Sequence, residues 1–291
     1  MGERELIAAP GVAAFFDLDK TTIADAAMFA FGSTLREAGF LNAGVVLRAV
    51  WGRLVFKYLG ADHDRMEDMR NNALRLCKGW DKRQMSDLVH GALHDVIEPI
   101  VYREALEEMD AHRAAGHKVF MVSASPEEIV VPLSKYLGAD GAVATIAETD
   151  RAGKYTGDVE FYSYGPYKVD AMEAIALEHD LDLDLCYAYT DSITDLPMLE
   201  AVGHPIVINP DRSLAKVASD REWEVRTFSN KLPLRERVVD HARTGAIVAG
   251  AGAIAGGASW YLRSKRRSSS AEFLWSVSCT YAAQQPQILF G

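Results

Sequence analysis

The sequence predicts an α/β fold, a doubly wound and mostly parallel sheet with a helical cap inserted after its first strand. Three observations predict it. A short apolar run at 12–16, VAAFF, stops at Asp17 and reads as a buried strand. The next stretch, from about 25 to 101, carries only the apolar spacing of helices. From Tyr102 onward strand and helix patterns alternate, and such βα units build a parallel sheet with helices on both faces.

Each element follows from local pattern. Within 25–101 the spacing predicts helices over 29–40, 41–59, 62–77 and 81–97, separated at Gly39, Gly60 and Gly79. A helix over 102–115 leads through Gly116 to a strand over 118–123 and a helix over 126–136. Residues 142–148 and 154–161 flank a turn and read as a hairpin. A helix over 166–179 precedes a strand over 185–190, a helix over 195–201 precedes a strand over 205–209, and 211–219 is a further helix. The expected division is a core of 1–24 and 102–240, a cap of 25–101, a Gly/Ala-rich apolar segment with a basic flank at 241–267, and a disordered tail at 268–291. Ligands of such a sheet bind beyond the carboxyl ends of its strands.

Composition narrows the partners. The 291 residues, 49% of them apolar, suffice for a core domain with an appendage. Lys and Arg number 31 against 41 Asp and Glu, a net charge of −10, which argues against nucleic acid. A phosphorylated small molecule stays open, because a divalent cation reverses the sign of one cleft. Cys77, Cys186 and Cys279 form no CxxC pair, which argues against a disulfide framework and for a cytoplasmic setting. The charged first ten residues give no secretory signal, and Leu6 breaks the myristoylation pattern that Gly2 would open.

Three features have a bland reading beside a functional one. His90, His94 and Glu98 share a helical face at metal-ligand spacing, but a solvated helix face explains them. Gly250 and Gly252 lack the preceding strand of a dinucleotide loop. Residues 244–262 are 19 uncharged residues followed by Arg263, Lys265, Arg266 and Arg267. Length, the Gly252/Gly256 pair and the basic flank suit a membrane span or interfacial anchor over 244–267. The small transfer energy of Gly and Ala suits a packed helix or free tail instead.

Four segments carry chemistry. Asp17 and Asp19 stand two apart just after the first strand. Ser123 ends the second strand, where its hydroxyl and the following helix N-terminus suit a phosphate. Ser125, ahead of Pro126 at a first helical position, reads as a helix cap. Lys168 opens a later helix, and Asp191 and Asp195 follow another strand. All lie at or just beyond the carboxyl side of an expected strand.

In this order and spacing, the four segments resemble the haloacid dehalogenase-like hydrolase superfamily, subfamily IB, in the branch typified by phosphoserine phosphatase. The likeness runs from about 12 to 228 and includes Lys154-Tyr155-Thr156-Gly157 and Gly165-Pro166-Tyr167-Lys168. It implies that Asp17 is a nucleophile forming an aspartyl-phosphate and that Asp19 is the proton carrier. It implies that Thr21, Ser123 and Lys168 hold phosphate oxygens. Mg²⁺ would be bound by Asp17, Asp19 and Asp191, with Asp195 orienting a metal-bound water or Lys168. The resemblance also implies a carboxylate nine residues after the nucleophile for a substrate amino group, but Ala26 stands there with Asp25 beside it. Lys20 replaces the Ser common in that branch. The expected function is hydrolysis of a small or lipid-like phosphomonoester. Alternatives are a phosphotransferase using the same intermediate and a non-catalytic binding protein on this fold.

Overall fold

The computed structural model describes residue 6 and residues 10–41 and 74–231. The helices expected over 41–59 and over most of 62–77, and the whole segment from 241 onward, lie outside the described residues.

Seven strands form one sheet: β1 (Ala13–Phe16), β2 (Lys118–Pro126), β3 (Gly141–Thr149), β4 (Tyr155–Phe161), β5 (Tyr187–Thr190), β6 (His204–Ile208) and β7 (Glu224–Arg226). Their order is β4-β3-β2-β1-β5-β6-β7. Every pair is parallel except β3 with β4, which form the expected hairpin. The chain walks outward from β1 through β2 and β3, then returns to the other side of β1 at β5. That reversal of direction leaves a crevice at the carboxyl ends of β1, β2 and β5.

β1 and β5 are buried along their whole length, which explains why they read as unbroken apolar runs rather than alternating ones. Alternate side chains feed two cores. Ala14 and Phe16 enter one with Met121 and Tyr189; it is covered by α3 (Lys82–Ile97), α4 (Arg103–Ala114) and α5 (Glu127–Tyr136). Ala13 and Phe15 enter the other with Phe120 and Ala188, under α6 (Pro166–His179), α7 (Leu196–Glu200) and α8 (Arg212–Asp220). Helices therefore cover both faces, as the doubly wound class requires.

Local chemistry sets the ends of these helices. Asp81 caps α3 through the Gln84 amide, and Asp211 caps α8 through Ser213 and Leu214. Pro166 opens α6 at a position where a missing N–H costs nothing. Two expectations shift. The helix expected over 29–40 is two short ones, α1 (Ala27–Ala30) and α2 (Gly32–Glu37), joined at the buried Phe31, whose ψ of 0° departs from the regular helical value. β7 escaped the sequence reading because a three-residue edge strand has no measurable period.

The segment inserted after β1 leaves and rejoins the core through one neck. Ile23 pairs antiparallel with Val101, the Ala24 amide donates to the Ile100 carbonyl at 2.7 Å, and the Tyr102 amide donates to the Thr22 carbonyl at 3.0 Å. Beyond the neck, α3 packs on α5, and residues 79–82 bond to the β3–β4 hairpin through Gly153 and Tyr155.

Candidate active site

Strand register gathers the site. Phe16, the last residue of β1, is level with Met121 of β2 and with Tyr189 of β5. One step further along each strand come Asp17, Val122 and Thr190. Ser123 and Asp191 therefore stand one residue beyond Asp17 on either side. Residues more than a hundred positions apart meet because parallel neighbours end at the same edge.

Asp17 continues the ladder by donating its amide to the Tyr189 carbonyl at 2.9 Å, and its own carbonyl accepts from the Thr22 hydroxyl at 2.7 Å. The residue is 6% exposed. Lys168, in the first turn of α6 and 2% exposed, donates from Nζ to Asp17 Oδ1 at 2.7 Å and to Asp195 Oδ2 at 2.8 Å. The Thr190 hydroxyl donates to the same Asp195 oxygen at 2.8 Å. Burial alone would push the Lys168 ammonium down, but Asp17 and Asp195 more than reverse that and hold it charged. This one ammonium is shared by two carboxylates. It does not offset the burial of Asp17, whose carboxyl is pushed well up, with Asp195, Asp191 and Asp19 adding to the effect.

Asp19 sits in different surroundings. Its Oδ1 accepts from the Ala27 amide at 2.6 Å and its Oδ2 from the Ser125 hydroxyl at 2.8 Å. Burial raises its carboxyl, and these two bonds partly oppose that. Asp191 is pushed up to about 7 by burial, opposed by Lys20 and reinforced by Asp195. Thr21 is fully buried and points its hydroxyl at Asp191 Oδ1 across 3.5 Å, a long contact. Ser123 is buried beside them and its Oγ accepts from the Ser125 amide at 3.1 Å.

All seven residues singled out from the sequence, Asp17, Asp19, Thr21, Ser123, Lys168, Asp191 and Asp195, thus lie at one sheet edge. The reading of Ser125 as a helix cap is corrected. β2 runs on to Pro126, which is extended and precedes α5 without capping it through a side chain, and the Ser125 hydroxyl reaches Asp19 instead. A signal for this was present: residues two apart in a strand share a face, so Ser125 follows Ser123 toward the site. Thr190 and Lys20 were also missed. Lys20 adopts a left-handed φ of 61° in the turn after Asp19, a conformation no propensity argument assigns to lysine. Asp25, the neighbour of Ala26, accepts a bond from the Ala26 amide at 2.9 Å.

The charge balance favours a hard cation. Four buried or part-buried carboxylates, Asp17, Asp19, Asp191 and Asp195, face one buried ammonium, and burial pushes up three of them. Among the described residues, no three His, Cys, Asp or Glu side chains gather tightly enough to hold a metal on their own. A site built from the Asp17 and Asp191 carboxylates, with a backbone carbonyl from Asp19 and waters, needs only two. The Asp19 carboxylate is already engaged by Ala27 and Ser125. The all-oxygen donor set fits Mg²⁺. The alternative triad fares worse: His94 Nε2 pairs with Glu98 at 3.0 Å while His90 faces solvent.

Residues 14–200, from β1 to the end of α7, match the model of the haloacid dehalogenase-like hydrolases. The chain belongs to that family. A Mycobacterium tuberculosis protein named as a probable phosphatase is 48% identical over 226 residues, 78% of this chain and 78% of that one. The phosphoserine phosphatase SerB1 of the same species is 31% identical over 261 residues, 88% of this chain and 81% of that one. A solved structure of a Bordetella pertussis protein of unknown function superposes with a TM-score of 0.64 at 26% identity, covering 75% of this chain and 98% of that one. This haloacid dehalogenase-like hydrolase therefore lies in the phosphoserine phosphatase-like branch of its family. The family match spans all four chemistry-bearing segments, from Asp17 to Asp195.

Proposed function

We propose that the chain is a Mg²⁺-dependent phosphomonoester hydrolase acting through an aspartyl-phosphate on Asp17. The observation that carries the reading is the unequal treatment of two carboxylates in one loop. Asp17 is fixed by an ammonium, whereas Asp19 is fixed by a backbone amide and a hydroxyl. The pinned carboxylate attacks phosphorus, and the bond from phosphorus to the leaving oxygen breaks. Asp19, raised by burial, suits the donor of the proton that this oxygen takes. The same carboxylate then takes a proton from the water that cleaves the acyl phosphate, which frees phosphate and restores Asp17. Lys168, Thr21 and Ser123 offer donors to the phosphoryl oxygens, and Asp195 with Thr190 holds Lys168 in place. Bound Mg²⁺ supplies positive charge that lets a carboxylate approach an anionic phosphate. The relatives named phosphatase support the same reaction class.

The inserted segment at 25–101 acts in this reading as a cap that opens and closes over Asp17. The neck at Ile23 and Val101, where the chain enters and leaves the segment, supplies a hinge next to the nucleophile loop, and closure would use the contacts of residues 79–82 with the β3–β4 hairpin. The test of the chemistry is Asp17→Asn. The protein should fold and release no phosphate from a panel of phosphomonoesters; near-normal release would end the mechanism. Adding an alcohol acceptor and analysing products separates hydrolysis from phosphoryl transfer, which uses the same residues.

A further inference from the structure

The nucleophile loop carries a backbone outlier that the proposed chemistry does not use. Lys20 stands between Asp19 and Thr21 at a φ of 61°. The turn is tight: the Thr22 and Ile23 amides both donate to the Leu18 carbonyl, at 2.9 and 3.0 Å. Such a conformation favours glycine or asparagine and strains a residue with a long side chain. Glycine would serve the turn by itself, so what lysine adds at this position is its charge.

That charge lies on the solvent side of the site. Lys20 is exposed, while Asp17, Leu18, Thr21 and Thr22 around it are buried. It draws the Asp191 carboxyl back down against its burial and, as a smaller contribution, does the same at Asp19. It acts through space, since among the described residues no ion pair holds its ammonium. The buried Lys168, by contrast, is divided between Asp17 and Asp195 at 2.7 and 2.8 Å. A phosphate monoester arrives from solvent with roughly two negative charges. An unengaged ammonium in the same loop as the nucleophile is a donor for one of its oxygens. The same ammonium, near Asp191, repels a divalent cation. An anion and a metal ion therefore feel Lys20 with opposite signs.

We propose that Lys20 is a further phosphate-binding residue, whose ammonium takes an oxygen of the entering phosphoryl group and loosens the hold of Asp191 on Mg²⁺. The inference rests on the phosphomonoesterase reading for the ester and the metal, while the anion site is tested by binding alone. The experiment uses the full chain and three variants. Lys20→Gly and Lys20→Asn remove the charge and suit the turn, and Lys20→Arg keeps the charge. Thermal melts confirm that all three fold. Calorimetric titration with inorganic phosphate at saturating Mg²⁺ should show both neutral variants binding roughly three- to tenfold more weakly, the scale of an exposed ammonium meeting a doubly charged anion. Titration with Mg²⁺ alone should show the same two variants binding roughly two- to tenfold more tightly. Lys20→Arg should match the native chain in both titrations. The differences should shrink at raised salt, because the group is exposed. A purely structural lysine would not move the two affinities in opposite directions. Phosphate affinity that survives loss of the charge, or Mg²⁺ affinity that stays equal or falls, overturns the role of Lys20 and leaves the hydrolase standing. Both shifts in a chain that releases phosphate from no monoester sink the hydrolase and keep the anion site. Neither shift and no release overturn both.

Discussion

Asp17 and Asp19 have the same side chain and stand two positions apart, yet they meet different partners, and the proposed division of work rests on those partners. Lys168 binds one, while Ala27 and Ser125 bind the other. Asp19→Asn removes the carboxylate proposed as proton carrier and should slow turnover by about 10² to 10⁴. Ser125→Ala removes one of its two restraints and should cost roughly tenfold in kcat, on the scale of a hydrogen bond to a charged group. Measuring kcat with one good and one poor leaving group checks both variants. The loss from Asp19→Asn should shrink when the leaving oxygen needs no proton, and an equal loss with both esters would contradict the assignment.

Among the elements, β6 starts beside a close approach of two backbone segments. A Cβ on Gly203 would sit 1.7 Å from the Asp184 carbonyl oxygen, so only glycine lets the turn before β6 lie against the loop leading to β5. Gly203→Ala must move backbone and should destabilise by about 1–3 kcal/mol or more. Gly91 offers the opposite case. It lies exposed inside α3 with nothing within 4 Å of an added Cβ, so Gly91→Ala should stabilise by roughly 0.5–1 kcal/mol through helix propensity. Urea unfolding of the two variants, compared by midpoint, should move in opposite directions.

For the molecule as a whole, charge and the chain ends decide what to test. In the proposed reading, a bound cation adds to the positive charge that Lys168 brings to the carboxylates at this edge, which burial pushes up. Exhaustive EDTA treatment should abolish phosphate release, Mg²⁺ should restore it, and Asp191→Ala should not be rescued by added Mg²⁺. Activity that persists without metal would contradict the reading. No helix among the described residues is long and apolar enough to cross a membrane. The segment at 244–267 lies outside them, and its attachment to anionic lipid remains our proposal from its basic flank, at about 1 kcal/mol per basic residue. Flotation with anionic liposomes tests it: the full chain should rise and a chain ending at Asp240 should not.

The sequence by itself determined the fold class, the order of the first six strands and seven residues that meet at one sheet edge. Strands buried on both faces are unbroken apolar runs such as AAFF and YAYT, and chemistry in such folds collects where those runs stop. Asp17, Ser123, Lys168 and Asp191 could therefore be named from their positions just after a run or at a helix start. Tertiary structure alone decided their roles toward one another. Which carboxylate meets Lys168, and that Ser125 serves Asp19 rather than a helix end, depend on contacts between residues far apart in the chain. Local pattern reports burial and period within a few residues. It contains no distance between strands, and the electrostatics of a site are set by those distances.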